Sequence, residues 1–549
     1  MVLALRLPVV NQLEYADAWF YSGYGWAPKH HFSVFGFNYF AVRFPAVVSI
    51  GGFEKAFGAP TGYLLLRYGL AVATGASLYL LMRRFATVQV ALATAVLLHL
   101  HPFFSRMLLW DYSYFVVVSA GTIGLALWWW AEGRHWSWTL LAGAALSAAA
   151  FAHATFATLL LVFVVVELVA GARRGGVALR DVIARLALCA AAGVGVFVSG
   201  WLIYLALLGS VEPVDILAPT IDFLRDNDGQ VSPYVRPTEE WLLRSPRIWV
   251  PILLCVALVA ALRRRLLGTD LPARIAQLCI GFTAFVWVFR FTVTSSFIET
   301  WWSYHITVVV MAPALGVLLH TLAPRLGNRI WVAVAAAALT AVIVRNAPFG
   351  VEDAYGWLNS HATALVVFVV LATILAIATG ARRRKLAMPA VVALLSCTGV
   401  MAYSPDVMDG RGGTGIFGRD GDREWSAYRA GHELLDLLRR NENPGQRIAL
   451  WYPTDSGYAN IAWVDMPQLG HTVQVLGVPS SFRTLPPVGR ARLLQPQFDS
   501  VLVMSPRAPQ LRAARRALTT AGFRTTVEEQ GRLADGALRY ALLRFSVAR

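Results

Sequence analysis

Apolar stretches of membrane-crossing length recur along the chain, separated by short polar gaps. They fall at roughly 61–82, 87–104, 113–131, 137–152, 154–171, 187–209, 247–262, 273–293, 304–322, 330–346, 362–380 and 387–403. A helix needs about 20 apolar residues to cross the hydrocarbon core of a bilayer. The pattern therefore predicts about 12 transmembrane helices. The run 137–171 is too long for one crossing and is interrupted by His153, which predicts two spans meeting there. After Ser404 the pattern changes to short apolar runs and amphipathic turns. It predicts a helix at 425–440, strands at 447–452, 472–476 and 500–504, a helix at 510–521 and two final strands. That mixture reads as a small α/β domain.

The gaps carry a second pattern. Arg83-Arg84, Arg173-Arg174 with Arg180 and Arg185, Arg263-Arg264-Arg265, Arg325 with Arg329, and Arg382-Arg383-Arg384-Lys385 occupy every second gap. The intervening gaps hold acids, aromatics and prolines. By the positive-inside rule the basic gaps are cytoplasmic, so the others, residues 11–60 and the tail face outward. The fold class expected is a mostly α, polytopic transmembrane bundle with a small C-terminal α/β extracytoplasmic domain, in the plasma (inner) membrane. Residues 1–403 form the membrane domain, with 11–60 as its first outer loop. Residues 404–424 form a Gly-rich linker and 425–549 the outer domain. The linker's Asp409-Gly410-Arg411-Gly412-Gly413-Thr414-Gly415 lacks the Gly-Lys-Ser/Thr ending of a phosphate loop. Residues 1–10 are apolar but too short to span, as though a first helix were cut, and they lack the charged start and cleavage site of a signal peptide.

Composition agrees with a membrane protein. Of 549 residues 57% are hydrophobic and 15% charged, where a soluble chain would carry about a quarter charged. The net charge of +16 comes largely from the basic gaps, which are topology anchors against membrane lipids, so no nucleic acid is expected as a partner. Cys189, Cys255, Cys279 and Cys397 all lie within apolar stretches. They read as small buried hydrophobes without disulfide or zinc spacing.

Several outward residues could carry chemistry. Asp17, in Leu13-Glu14-Tyr15-Ala16-Asp17-Ala18-Trp19, is an acid among aromatics. A carboxylate in such partly dry surroundings can act as a general base, or it can be a solvated acid in an aromatic belt. Asp111, at the entry to the third span, is either functional or a helix-start cap. Arg43 and Arg67 at interfacial depth suit a lipid-linked phosphate, which guanidinium binds bidentately, or they snorkel to headgroups. His153, at a break between spans, is a site candidate or a helix cap. Lys29-His30-His31 offers metal or phosphate ligands, although adjacent histidines seldom point the same way.

Taken in order, these motifs resemble the C-type (GT-C fold) membrane glycosyltransferases, nearest the branch of protein O-mannosyltransferases and lipid A aminoarabinose transferases. Asp17-Ala18 is similar to that family's first-loop catalytic acid. Arg43-Phe44-Pro45-Ala46, ahead of Phe53-Glu54-Lys55-Ala56-Phe57-Gly58, resembles its Lys/Arg-Pro-Pro-Leu stretch and the amphipathic helix begun there. Leu66-Arg67-Tyr68 resembles its Ala-Arg-Leu-Pro entry, and Arg106-Met107-Leu108-Leu109-Trp110-Asp111 its Ala-Arg-Met-Asp motif. Phe151-Ala152-His153-Ala154-Thr155 resembles its Thr-Lys/His-Tyr-Thr segment, and Trp302-Ser303-Tyr304-His305 its late Tyr-x-Leu-Pro motif. The resemblance spans roughly residues 11–320. Ala18 stands where a second acid is usual, which takes one ligand from metal-assisted versions and leaves a divalent metal ion as an open cofactor. Glu299 stands near where the family often has a lysine or arginine. Phosphate binding then falls to Arg43, Arg67, Arg106 or Arg290.

The resemblance implies transfer of a sugar from a polyprenyl-phosphate donor to a lipid, glycan or protein acceptor outside the cell, with inversion. Asp17 would be the catalytic base, with Arg43, Arg67, Arg106, Asp111, His153 and Tyr304 binding substrate. The competing reading is a transporter or flippase for a lipid-linked or polymeric envelope substrate. That reading predicts internal repeats and midplane charges, and no repeat between the halves is visible. A third is a membrane scaffold whose tail binds envelope partners.

Overall fold

The structure is a computed structural model. It describes residues 17–26, 28–100, 113–219, 249–293 and 304–326, and in the tail chiefly 447–451, 484–485, 487–496, 498–505, 508–533 and 538–547. The last three expected spans, the helix expected at 425–440 for most of its length, the strand at 472–476 and the linker lie outside the described residues.

Three short helices precede the first long one: α1 (Asp17–Trp26), α2 (Pro28–Phe35) and α3 (Phe44–Phe57). Pro45 sits in the first turn of α3, where its missing N–H costs nothing and its fixed φ favours the helix. Gly58, at φ 83, ends α3 and turns the chain directly into α4 (Ala59–Met82). A side chain is strained at that backbone angle. The bundle continues with α5 (Val88–Leu100), α6 (Tyr114–Trp130), α7 (Trp136–Ala152), α8 (Phe156–Arg174), α9 (Gly176–Leu208), α10 (Trp249–Leu262), α11 (Leu271–Val293) and α12 (Tyr304–Leu326). By length and composition four segments can cross a membrane: 65–82, Phe156–Arg174, Gly176–Leu208 and 271–288. The shorter α5, α6, α7 and the 306–322 part of α12 are also apolar.

Helix α12 is the hub, packing on α4, α5, α6, α10 and α11. Helix α6 joins α4 to α7, and α9 lies along α7 and α8. Small residues allow the close crossings. A Cβ on Gly143 of α7 would stand 2.6 Å from the Cα of Cys189 in α9, a backbone approach typical of helices packed in lipid. The expected break at His153 is present. Its backbone is extended (φ −158, ψ 117), ending α7 before α8 begins.

The sixth span, expected at 187–209, lies in a longer helix: α9 starts at Gly176 and runs 33 residues. At 1.5 Å per residue that is about 50 Å, far longer than the ~30 Å hydrocarbon core. The charged residues Arg180, Asp181 and Arg185 lower the hydropathy of its first turns without breaking the helix, because hydropathy reports polarity and not helix continuity.

Among the described residues the alternate gaps gather at opposite ends. At one end Arg174 pairs with Glu132, Arg274 with Glu132 and Glu167, and Arg173 donates to the Leu267 carbonyl at 3.2 Å. At the other end Arg43 reaches Ser113, and His153 packs on Tyr114.

The tail forms a four-stranded sheet in the order β1-β2-β4-β3, from β1 (Arg447–Trp451), β2 (Phe498–Ser505), β3 (Phe523–Leu533) and β4 (Leu538–Val547). Strands β1 and β2 are parallel and the other pairs antiparallel. Helix α13 (Pro487–Leu493) precedes β2, and α14 (Ala508–Thr520) follows it. Ala514, Ala517 and Leu518 of α14 pack on Trp451, Val501, Val503 and Leu543.

Candidate active site

The site is built around the start of α6. Asp111 lies outside the described residues, but the three residues that follow Tyr112 are in place, and each holds one of the outward candidates. Ser113 accepts a hydrogen bond from Arg43 Nη1 at 3.2 Å. The Tyr114 ring packs on His153 at 5.1 Å. The Phe115 ring lies 5.2 Å from the Arg67 guanidinium. Arg43, Arg67 and His153, spread over 110 positions of the chain from 43 to 153, thus meet at one short segment.

Arg43 is the cross-link. It precedes α3 in a loop shaped by Asn38, whose side chain accepts from the Phe40 and Ala41 amides at 3.0 and 3.2 Å. Its Nη1 also donates to the Tyr21 hydroxyl at 2.5 Å, and its guanidinium stacks 4.0 Å over the Tyr39 ring. Tyr21 is one helical turn after Asp17 on α1, and Ser113 is two residues after Asp111. One buried arginine therefore ties the helix that begins at Asp17 to the helix that follows Asp111. Both Arg43 and Arg67 are buried. A guanidinium held among aromatic rings in this way keeps its charge and a fixed plane, which suits recognition of a phosphate.

His153 Nδ1 lies 2.6 Å from the Thr155 hydroxyl, and the imidazole is buried at the α7–α8 break. Asp17 opens α1 and Tyr304 opens α12. The side chains of both, and Arg106 and Asp111 entirely, lie outside the described residues.

Glu54 is a residue that the sequence reading passed over as part of an amphipathic helix. It is buried on the α3 face that meets α1, where the Ser22 hydroxyl reaches its two carboxylate oxygens at 3.0 and 2.8 Å. Burial pushes its carboxyl up to about 8, against the smaller downward pulls of Ser22 and Lys55. The signal was present in the chain: Val47, Ile50, Gly51 and Glu54 share one helical stripe, so the acid occupies an apolar position. The same α1–α3 contact brings Gly25 against Gly51, where a Cβ on Gly51 would stand 2.5 Å from the Gly25 backbone.

Lys29-His30-His31 does not form a ligand cluster on the described side chains. His31 is buried edge-on against Tyr24, with ring centroids 5.1 Å apart, while Lys29 is exposed. Among the described residues no group of three His, Cys, Asp or Glu side chains is placed to hold a metal ion. Cys189, Cys255 and Cys279 are free thiols within helices.

No family model and no curated protein matches this chain. Two solved structures are similar to it. ArnT from Cupriavidus metallidurans bound to undecaprenyl phosphate is 14% identical, over 99% of this chain and 96% of that one, with a TM-score of 0.49. ArnT from the same organism in the apo state is 15% identical, over 96% of this chain and 95% of that one, with a TM-score of 0.47.

Proposed function

We propose that this chain is a polytopic membrane glycosyltransferase that moves a sugar from a polyprenyl-phosphate donor to an acceptor on the extracytoplasmic side. The observation that carries the reading is the Arg43 cross-link. It joins Tyr21, one turn after the acid Asp17, to Ser113, two residues after the acid Asp111. An acid, a second acid and a cation from three distant segments are what this transfer needs in one place.

In this reading Asp17 accepts the proton of the acceptor hydroxyl. The hydroxyl oxygen then bonds to the anomeric carbon as the bond to the lipid phosphate breaks, inverting that carbon. The phosphate leaves with the electron pair, and Arg43 and Arg67 stabilise its growing charge. General base catalysis of this kind contributes about 10²–10⁴ in rate. Asp111, His153 and Tyr304 bind and orient the substrates. The prenyl chain lies between apolar helices.

The test is a transfer assay on the detergent-purified protein with a panel of polyprenyl-phosphate sugars. Asp17→Asn keeps the size of the side chain but cannot take the proton. Turnover is expected to fall by ~10²-fold or more while donor still binds. Full activity in Asp17→Asn with loss in Glu14→Gln would move the base to Glu14, three residues earlier in the chain. Full activity in both would remove the glycosyltransferase reading and favour a transporter.

A further inference from the structure

The domain formed by the tail has two unlike faces. Helices α13 and α14 cover one face of its sheet, through Leu493 of α13 and Ala514, Ala517 and Leu518 of α14. Together the two helices carry Arg490, Arg492, Arg512, Arg515 and Arg516 and no acid. Arg512, Arg515 and Arg516 are three and four residues apart, so they share one side of α14, and all three are exposed. Arg490 is exposed as well and ties α13 to the end of α14, where its Nε donates to the Ala521 carbonyl at 3.0 Å. Arg515 Nε donates to the Thr525 hydroxyl at 3.4 Å, which lays its guanidinium over the start of β3.

Carboxylates gather on the other face. Along β4, Ala541, Leu543 and Phe545 pack toward α14. Successive strand side chains alternate, so Tyr540, Leu542 and Arg544 point away from it. Arg544 pairs with Glu528 at 2.8 Å and stands 4.0 Å from Asp499. Tyr540 and Asn441 donate to Glu529 at 2.7 and 2.9 Å. Among the described residues these carboxylates are already engaged, and no ion pair of the tail involves an arginine of α13 or α14. Like charges at the spacing of Arg512 and Arg516 weaken a helix by a few tenths of a kcal/mol. Folding alone therefore does not call for them, whereas a negatively charged surface against that face offsets their repulsion.

Two further features select a bilayer as that surface. Leu494 is 48% exposed, and its amide bonds back to the Arg490 carbonyl at 3.2 Å, so it stands one turn beyond Arg490 on the same side of the helix. A soluble anion has no use for an apolar side chain there, whereas a lipid interface takes up the leucine while its headgroups meet the arginines. The domain is also tethered close to lipid. It follows the last expected span through the linker 404–424, whose reach as a flexible coil is on the order of 25 Å. We propose that the α13–α14 face docks on an anionic bilayer surface, with Arg490, Arg512, Arg515 and Arg516 at the headgroup phosphates and Leu494 entering the apolar layer. This docking does not depend on the proposed reaction.

The experiment uses the full chain in a cysteine-free background, with Leu494→Cys carrying an environment-sensitive fluorophore. It is reconstituted in nanodiscs of phosphatidylcholine alone or mixed with phosphatidylglycerol, each with a quencher on some acyl chains. Both leaflets have the same composition, so the outcome is independent of sidedness. With phosphatidylglycerol the label should shift to shorter wavelength and be quenched, and with phosphatidylcholine alone it should stay in water. Arg512→Gln/Arg516→Gln removes two exposed charges and leaves the Arg490 and Arg515 bonds in place. It should lower the ratio of docked to undocked domain by ~30-fold. Arg524 lies on the sheet face of Arg544, because Thr526, two residues on, is the register partner of Arg544. The control Arg524→Gln/Arg544→Gln thus makes the same change of charge on the opposite face and should dock as the parent does. Equal losses in the two double variants would reduce the effect to net charge and overturn the face. Equal quenching in both lipid mixtures, or none in either, would overturn the anionic bilayer. Capture of soluble polyphosphate with the label left unquenched would put an anionic polymer in its place.

Discussion

At the scale of single residues, Glu54 gives the sharpest pH dependence. Its carboxyl sits at about 8 in the folded chain, against about 4.3 for an unperturbed glutamate. Between those values the folded state holds a proton that the unfolded state has released. Stability therefore falls as pH rises through that window and levels off above about 8. The total loss is on the order of a few kcal/mol. Glu54→Gln cannot ionise and still accepts from Ser22. Its thermal unfolding in detergent should be nearly flat from pH 5 to pH 9 where the parent declines. Parallel declines in the two proteins would show that Glu54 keeps its charge through folding. Arg43 teaches a related lesson. Sequence marked it as outward and basic, but its partners Tyr21, Tyr39 and Ser113 could be known only from packing.

At the scale of elements, the contact of α1 with α3 sets where the helix that begins at Asp17 lies. Gly25 and Gly51 bring the two backbones together, so Gly51→Ala forces them apart. Overpacking of this kind costs about 1–3 kcal/mol, and a shift of about 1 Å in a reacting group can cost ~10²-fold in rate. Gly52→Ala is the matched control. A Cβ there meets nothing within 4 Å, and alanine favours a helix over glycine by about 1 kcal/mol. Gly51→Ala should lower both the unfolding temperature and the transfer rate, and Gly52→Ala neither. Equal behaviour of the pair would mean that the close approach does not position α1. Element boundaries followed apolar periodicity well for α4, α6, α7 and α8. They failed at the start of α9, where a charged but continuous helical face hid the beginning of the helix.

At the scale of the whole molecule, the two ends differ in character, and a labelling experiment decides which faces outward. In a cysteine-free background, Lys29→Cys lies on an exposed position near the candidate active site, and Leu267→Cys on an exposed position at the arginine-rich end. Ser22 would be a poor probe, since it is buried on Glu54. An impermeant thiol reagent added to intact cells with a permeabilised outer layer should label Lys29→Cys and spare Leu267→Cys. The opposite result would reverse the sidedness and, with it, the side on which transfer is proposed.

Order along the chain was enough to read the helical bundle, the break at His153, the alternation of basic gaps and most strands of the tail. Each of these depends on local pattern: apolar length, period and the placement of charge. The outward arginines and acids were also legible as residue types in sequence. Their meeting was not. Arg43, Arg67 and His153 converge on Ser113, Tyr114 and Phe115 because α4, α6, α7 and α3 pack together, and packing depends on shape complementarity between segments far apart in sequence. The buried Glu167–Arg274 pair was equally hidden. One acid inside an apolar helix says nothing of its partner, and only the crossing of α8 with α11 supplies the cation that makes its burial tolerable.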